Sequence, residues 1–128
     1  MAKNQMILCD SNIFIMLFRG NAKVKESLDK IGNANTAFSI VTFSEIIYGT
    51  KKSDLIKIQS YFSELNEIHI NNDISKELKR ITLSYSYNYH IKIPDALIAA
   101  TAIYTGFQLY TENKKDFDFI PEVKFYKP

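Results

Sequence analysis

Every run of this chain that reads as a β-strand is separated from the next by stretches of helical periodicity. Strands spaced in this way cannot pair through tight hairpins. They need crossovers, which argues for an α/β fold with a central, mostly parallel sheet and helices on both faces. Residues 6–9 are a continuous apolar run, as expected of a strand buried on both sides, and Asp10-Ser11-Asn12 ends it as a helix cap. Residues 13–18 then form a short, strongly apolar helix. Val24, Leu28 and Ile31 recur at helical spacing before Gly32-Asn33 stops a second one. A strand is expected over 36–41, followed by a helix that begins at 42–44 and carries Glu45 among Phe43, Ile46, Ile47 and Tyr48. Leu55, Ile58, Phe62 and Leu65 mark one face of the next helix, and Ile68-His69-Ile70 alternates like a short strand.

Asn72 or Asp73 caps a further helix with Ile74, Leu78, Ile81 and Tyr85 turned inward, fraying towards Tyr89. Ile93-Pro94 starts the next helix and Gly106 ends it. Residues 96–105 between them are so small and apolar that close packing on most sides is required. Residues 107–110 read as a strand, 113–118 as a helical turn and 123–126 as a last strand.

With 128 residues, 46% of them hydrophobic, the chain can support one core, and a single domain over 1–128 is expected. Cys9 is the only cysteine, which excludes a disulfide framework or a Cys-rich zinc site and suits a reducing compartment. The longest bulky apolar run, 13–18, is far short of the roughly 20 residues that cross a bilayer, so no membrane association is expected. After residues 1–5, Asp10 interrupts the apolar stretch too early for a signal-peptide core, and a cytoplasmic location is expected. A net charge of +2 permits contact with nucleic acid without requiring it.

Most acidic residues, Glu26, Asp29, Asp54, Glu64, Glu67, Asp73 and Glu77 among them, fall at polar or capping positions. Three do not. Asp10 ends a buried strand, Glu45 interrupts an apolar turn and Asp95 opens the most apolar helix, and an unpaired buried carboxylate is costly. Ligands of a parallel sheet bind beyond the carboxyl ends of its strands. Asp10, Glu45 and Asp116 all follow strands and belong at that edge. Simple topology sets Asp95, before a strand, at the opposite edge unless the preceding helix crosses over.

Converging carboxylates raise one another's pKa, and an all-oxygen set suits Mg²⁺ or Mn²⁺ better than zinc. On spacing alone, Asp10 can equally be a strand-end cap, Asp95 a charge favoured by its helix dipole, and Glu45 the partner of a lysine.

His69 and His90 have no other ligand at metal spacing and are assigned structural or surface roles. Cys9, buried beside Asp10, is packing rather than a nucleophile. Tyr85, Tyr87, Tyr89 and Tyr104 lie near Asp95, where helix packing is the commoner role and base stacking the alternative. A phosphotransfer site using Asp10 as nucleophile would carry a second Asp where this chain has Asn12. No Gly-rich loop follows the first strand, which argues against nucleotide binding.

Four segments in order resemble the PIN-domain ribonucleases, specifically the VapC-type toxins of bacterial toxin–antitoxin pairs. They are Met6-Ile7-Leu8-Cys9-Asp10-Ser11-Asn12, Ile40-Val41-Thr42-Phe43-Ser44-Glu45-Ile46-Ile47-Tyr48-Gly49, Pro94-Asp95-Ala96-Leu97-Ile98-Ala99-Ala100-Thr101-Ala102 and Leu109-Tyr110-Thr111-Glu112-Asn113-Lys114-Lys115-Asp116-Phe117. The resemblance implies a PIN-like fold and a Mg²⁺- or Mn²⁺-dependent endoribonuclease. Asp10, Glu45, Asp95 and the more variable Asp116 are its implied catalytic metal ligands, Asp95 being brought to the other acids by the fold. Ser11, Thr111 and Asn113 are implied polar supports around those ligands. Arg19, Lys51, Lys52, Lys114 and Lys115, each shortly after an acidic motif, are candidate phosphate contacts for RNA. A cognate antitoxin, operator DNA bound through that antitoxin, and a homodimer are also implied. Residues 13–18, apolar nearly all round, offer modest support for a partner surface. The non-enzymatic alternative is a partner-binding subunit of an antitoxin repressor complex with a silent site.

Overall fold

The computed structural model describes residues 5–128; residues 1–4, which entered the signal-peptide reading, lie outside the described residues. Strands β1 (Ile7–Cys9), β2 (Thr36–Ser39), β3 (Asn66–Ile68) and β4 (Gln108–Tyr110) form one parallel sheet in the order β3-β2-β1-β4. Helices α1 (Ser11–Phe18), α2 (Ala22–Ile31), α3 (Ile40–Tyr48), α4 (Leu55–Ser63), α5 (Asn72–Tyr89) and α6 (Ile93–Thr105) make the crossovers. The α/β architecture expected from the alternation of elements is the one observed.

Strand pleating divides the core in two. Ile7, Cys9, Phe38 and Tyr110 turn to one face, where they meet Phe14 of α1, Val24 and Leu28 of α2, Ile46 of α3 and Phe62 of α4. Phe62 is the hub of this layer, with ring centroids 4.9 Å from Phe14 and 4.7 Å from Phe38. Leu8, Ala37 and Leu109 turn to the other face, against Ile74 and Ile81 of α5 and the small residues of α6. Both faces of β1 are covered, which is why residues 6–9 show no polar alternation.

Three boundaries differ from expectation. Ile40 and Val41, β-branched and read as strand, are the first turn of α3, because the Ser39 hydroxyl accepts a hydrogen bond from Val41 N–H at 3.1 Å and caps the helix there. The third strand is Asn66–Ile68 rather than 68–70: it is the sheet edge, so polar Asn66 and Glu67 are tolerated in it. Residues 123–126 contribute one parallel bridge, Leu109 to Phe125, instead of a full strand. The tyrosine-rich end of α5 stays helical to Tyr89. There Tyr89 stacks on Phe119 at 4.3 Å and Tyr85 meets both rings edge-on, so these two tyrosines pack while Tyr87 is exposed.

The expected edge for Asp95 was also reversed. A helix feeding a parallel strand runs antiparallel to it, so α6 begins at the carboxyl edge of the sheet and ends at the amino edge, where Gly106 adopts φ 74° and turns the chain into β4. No unusual crossing is needed. The α6 layer is made of Ala96, Ile98, Ala99, Ala100 and Ala102, all buried. Ala99 is 0% exposed, so Ala99→Leu should force α6 away from its neighbours in this layer and cost about 1–3 kcal/mol in chemical denaturation. An unchanged midpoint would show that the interface is loose.

Candidate active site

The strand order reverses at β1, with β2 and β3 added on one side and β4 on the other. Such a reversal opens a crevice beyond the carboxyl ends of the strands. Register selects what meets there. Cys9 pairs with Tyr110, so Asp10 and Thr111 are the next residues on adjacent strands, and Asp10 N–H donates to the Tyr110 carbonyl at 2.9 Å.

Asp10 is also the N-cap of α1. Its Oδ1 accepts from Ser11 N–H at 2.8 Å, and its Oδ2 accepts from the Thr111 hydroxyl at 3.0 Å and from Asn12 Nδ2 at 3.4 Å. Only 6% exposed, its carboxyl is pushed up by burial, partly offset by the Ser11 and Thr111 hydrogen bonds, and raised again by Asp116.

The other acids arrive on separate elements: Glu45 from α3, Asp95 from the first turn of α6, and Asp116 from the short 3₁₀ turn Lys114–Asp116 after β4. Burial and then Asp10 raise Glu45, while the Ser11 side chain weakly favours its charged form. Asp95 is lifted to about 6 by burial, then by Asp116, Asp10 and Glu45, with Lys92 opposing. The structure thus brings all four carboxylates into one electrostatic neighbourhood.

None of them is paired with a cation among the described residues. The ion pairs among the described residues are Lys25–Asp29, Lys30–Glu26, His69–Glu67, Arg80–Glu77 and Arg80–Glu122, so the lysine partner considered for Glu45 is not formed. Glu45 is nevertheless exposed, not enclosed by an apolar turn. With α3 starting at Ile40, Thr42 and Ile46 take the buried positions and Glu45 lies on the open side. Asp95 is half-buried and Asp116 exposed; of the four, Asp10 alone is fully buried.

Among the described residues no three acidic, thiol or imidazole groups are already gathered into a ready-made ligand set. The donors are hard oxygens, and the one nearby sulfur, Cys9, is fully buried with its thiol pushed further towards the protonated form. This chemistry fits a hard divalent cation of the Mg²⁺ or Mn²⁺ type.

Thr111 supports Asp10 through its side chain, whereas Asn113 acts through its backbone, whose N–H donates to the Thr111 hydroxyl at 3.0 Å. Arg19 and Lys51 line an open groove of about 560 Å³ with Glu45, Ile15 and Phe18. Lys114 and Lys115 line a different depression beside Thr111 and Asn113, and Lys52 lines neither. Two residues escaped the sequence reading. Lys92, the α6 cap, is the cation that bears on Asp95, and its signal was its place three residues before that acid. Asn12 joins the two sides of the crevice, and no local signal announces that.

The raised Asp95 carboxyl has a consequence for stability. With an unfolded value near 3.8 and a folded value of about 6, the native state binds more protons between those pH values, so metal-free stability falls as pH rises through the window. In EDTA above pH 7, Asp95→Asn should therefore be more stable than wild type, by on the order of 1 kcal/mol once solvent screening is allowed for, and equal to it near pH 3. Melting curves across pH measure this. A lower melting temperature for Asp95→Asn at pH 7.5 would assign the carboxylate a structural bonding role instead.

Residues 7–122 match the family model described as PIN domain. The ribonuclease VapC1 of Methanocaldococcus jannaschii is 31% identical over 118 residues, covering 91% of this chain and 82% of its own. The ribonuclease VapC19 of Mycobacterium tuberculosis is 28% identical over 123 residues, covering 93% and 98%. Among solved structures, a toxin–antitoxin complex from Klebsiella pneumoniae superposes with a TM-score of 0.78 at 34% identity, covering 95% of this chain and 99% of that one. With its strand order, its carboxyl-edge acids and these matches in agreement, the chain belongs to the PIN domain family, among the VapC ribonucleases.

Proposed function

We propose that this chain, as one PIN-like domain over 1–128, is a Mg²⁺- or Mn²⁺-dependent endoribonuclease acting in the cytoplasm as the toxin of a type II toxin–antitoxin pair. What supports the reading is that four carboxylates from four elements act on one another electrostatically at the carboxyl edge of the sheet, with no cation of the described residues paired to any of them. The names of the relatives, two ribonucleases and a toxin–antitoxin complex, support it.

Asp10, Glu45, Asp95 and Asp116 are the residues that would hold the cation. A bound cation would offset their repulsion, polarise the scissile phosphate and make a water easier to deprotonate. Asp10 is the fixed member, with both oxygens anchored by donors from the chain. The three more open acids can adjust around it, and one of them takes a proton from the attacking water. Water adds to phosphorus, the bond to the leaving ribose oxygen breaks, and the proton passes to that oxygen. Arg19 and Lys51, which line one depression, and Lys114 and Lys115, which line another, would meet phosphates flanking the cut.

The antitoxin is the expected occupant of the groove between α1 and α3. Ile13 and Phe14 of α1 are core, but Ile15 and Phe18 are exposed and line that groove beside Arg19 and Glu45. A segment lying there would cover apolar surface and block Glu45, and operator DNA would be reached through the antitoxin. A homodimer is part of the same reading, and the exposed Tyr48, Leu83, Tyr87 and Ile93 supply uncovered apolar surface.

Antitoxin-free protein should cleave RNA with Mg²⁺ or Mn²⁺ and stop in EDTA. Asp10→Asn or Asp95→Asn should slow turnover by ~10³-fold or more with circular dichroism unchanged. Cleavage that survives EDTA would overturn the metal mechanism, and no cleavage under any divalent ion would favour a silent partner-binding subunit. In a separate binding assay, Lys51→Ala should weaken RNA binding and lower the slope of log affinity against log salt by about one. A variant with an unchanged slope would remove Lys51 from the phosphate path.

A further inference from the structure

The Asp10 carboxylate is held from the far side of the crevice as well as from its own helix, and one side chain connects the two. Asn12 Nδ2 lies 3.4 Å from Asp10 Oδ2 and 3.3 Å from the Thr111 hydroxyl, while Asn12 Oδ1 accepts from Glu112 N–H at 3.2 Å. The partners leave the amide no choice of orientation, since a flip would set its carbonyl against a carboxylate and its NH₂ against an N–H.

Thr111 is used to capacity. Its hydroxyl gives its single proton to Asp10 and accepts from Asn12 Nδ2 and Asn113 N–H. The Asn113 carbonyl in turn accepts from Asp116 N–H at 3.0 Å, closing the 3₁₀ turn that carries the fourth acid. From Asn12, therefore, one continuous set of hydrogen bonds reaches two of the four carboxylate-bearing segments.

We infer that Asn12 is a positioning residue for the divalent cation, fixing the rotamer of Asp10 and the place of Asp116 before the ion arrives. The inference rests on the reading of Asp10 as a metal ligand. Asn12 itself contacts neither ion nor RNA in this role. A carboxylate free to rotate must be ordered by the incoming ion, whereas a held one is not, so the contribution falls on metal affinity rather than on RNA binding. Neither Asp nor Ser replaces it: Asp has no donor for Asp10, and Ser is too short to span from Asp10 to Glu112 N–H.

The test is Mn²⁺ binding by calorimetry in the absence of RNA, with RNA binding measured separately in EDTA by fluorescence anisotropy. Asn12→Ala should raise the Mn²⁺ dissociation constant by ~10–100-fold, leave RNA affinity in EDTA unchanged, and recover cleavage as Mn²⁺ is raised. Combining it with Thr111→Val should cost less than the sum of the single changes, because both break the same network. Should Asn12→Ala melt below the assay temperature, Asn12→Ser carries the same comparison. A folded variant that binds Mn²⁺ as wild type does, or one that loses RNA affinity instead, overturns the proposal. Asp10→Asn is the control for the underlying reading: if it binds Mn²⁺ normally, Asp10 is not a ligand, a result separate from any outcome at Asn12.

Discussion

The parallel pairing of β1 with β4 is the constraint on which the rest depends. β1 already has β2 on its other side, so adding β4 buries β1 in the middle of the sheet and reverses the strand order at the same point. The reversal opens the crevice, and the register, Cys9 against Tyr110, determines that Asp10 meets Thr111 across it. A slip of one residue would turn every β4 side chain to the opposite face, exchanging Leu109 and Tyr110 between the two core layers. Core packing thus enforces the register that builds the site.

Charge then shapes what the pairing assembles. A fully buried Asp10 is tolerable because donors from Ser11, Asn12 and Thr111 replace water at both of its oxygens. Glu45 and Asp116 remain exposed and Asp95 half-buried, so solvent screens part of their mutual repulsion. The site therefore combines one rigid carboxylate with three that are cheaper to move. The proposed cation would close such a set without rebuilding the sheet.

Local signals made much of this legible in the sequence. Pro94 and Gly106 bracketed α6, and the unbroken apolar run at 6–9 marked the central strand; the cap of α5, expected at Asn72 or Asp73, is Asn71, whose side chain accepts from Ile74 N–H and draws both of those residues into the first turn. Where two local signals competed, the reading slipped. Ile40 and Val41 favour a strand by shape, but the Ser39 cap claims them for a helix. At the sheet edge, Asn66 and Glu67 carry little apolar signal although they pair with β2. The four acids stood out through their motifs, but Glu45 was singled out for a burial it does not have. Asn12 was read as part of a cap and of the first motif but not as a link across the crevice, because its partners at Thr111 and Glu112 lie 99 and 100 residues away and depend on a strand pairing that no local pattern encodes.

The alanines of α6 connect packing to charge. Ala96, Ala99 and Ala100 are buried in the layer that α6 shares with α5 and the sheet, and their small side chains let the helix backbone, with Asp95 in its first turn, lie close to its neighbours, α5 above all. Larger residues would hold Asp95 farther from Asp10 and relieve repulsion, yet the chain keeps the close approach. It can do so because the packing term is larger. Leu8, Ile74, Ile81, Ile98 and Leu109 of the same layer are each under 2% exposed, and each fully buried side chain of this size stabilises by about 1.5–3 kcal/mol. The repulsion it opposes runs between buried Asp10 and three acids that solvent screens at least in part, and is on the order of 1 kcal/mol per pair. The apolar layer thus holds the acids nearer to one another than their charges alone would allow, and part of the work of assembling a cation site is done in folding.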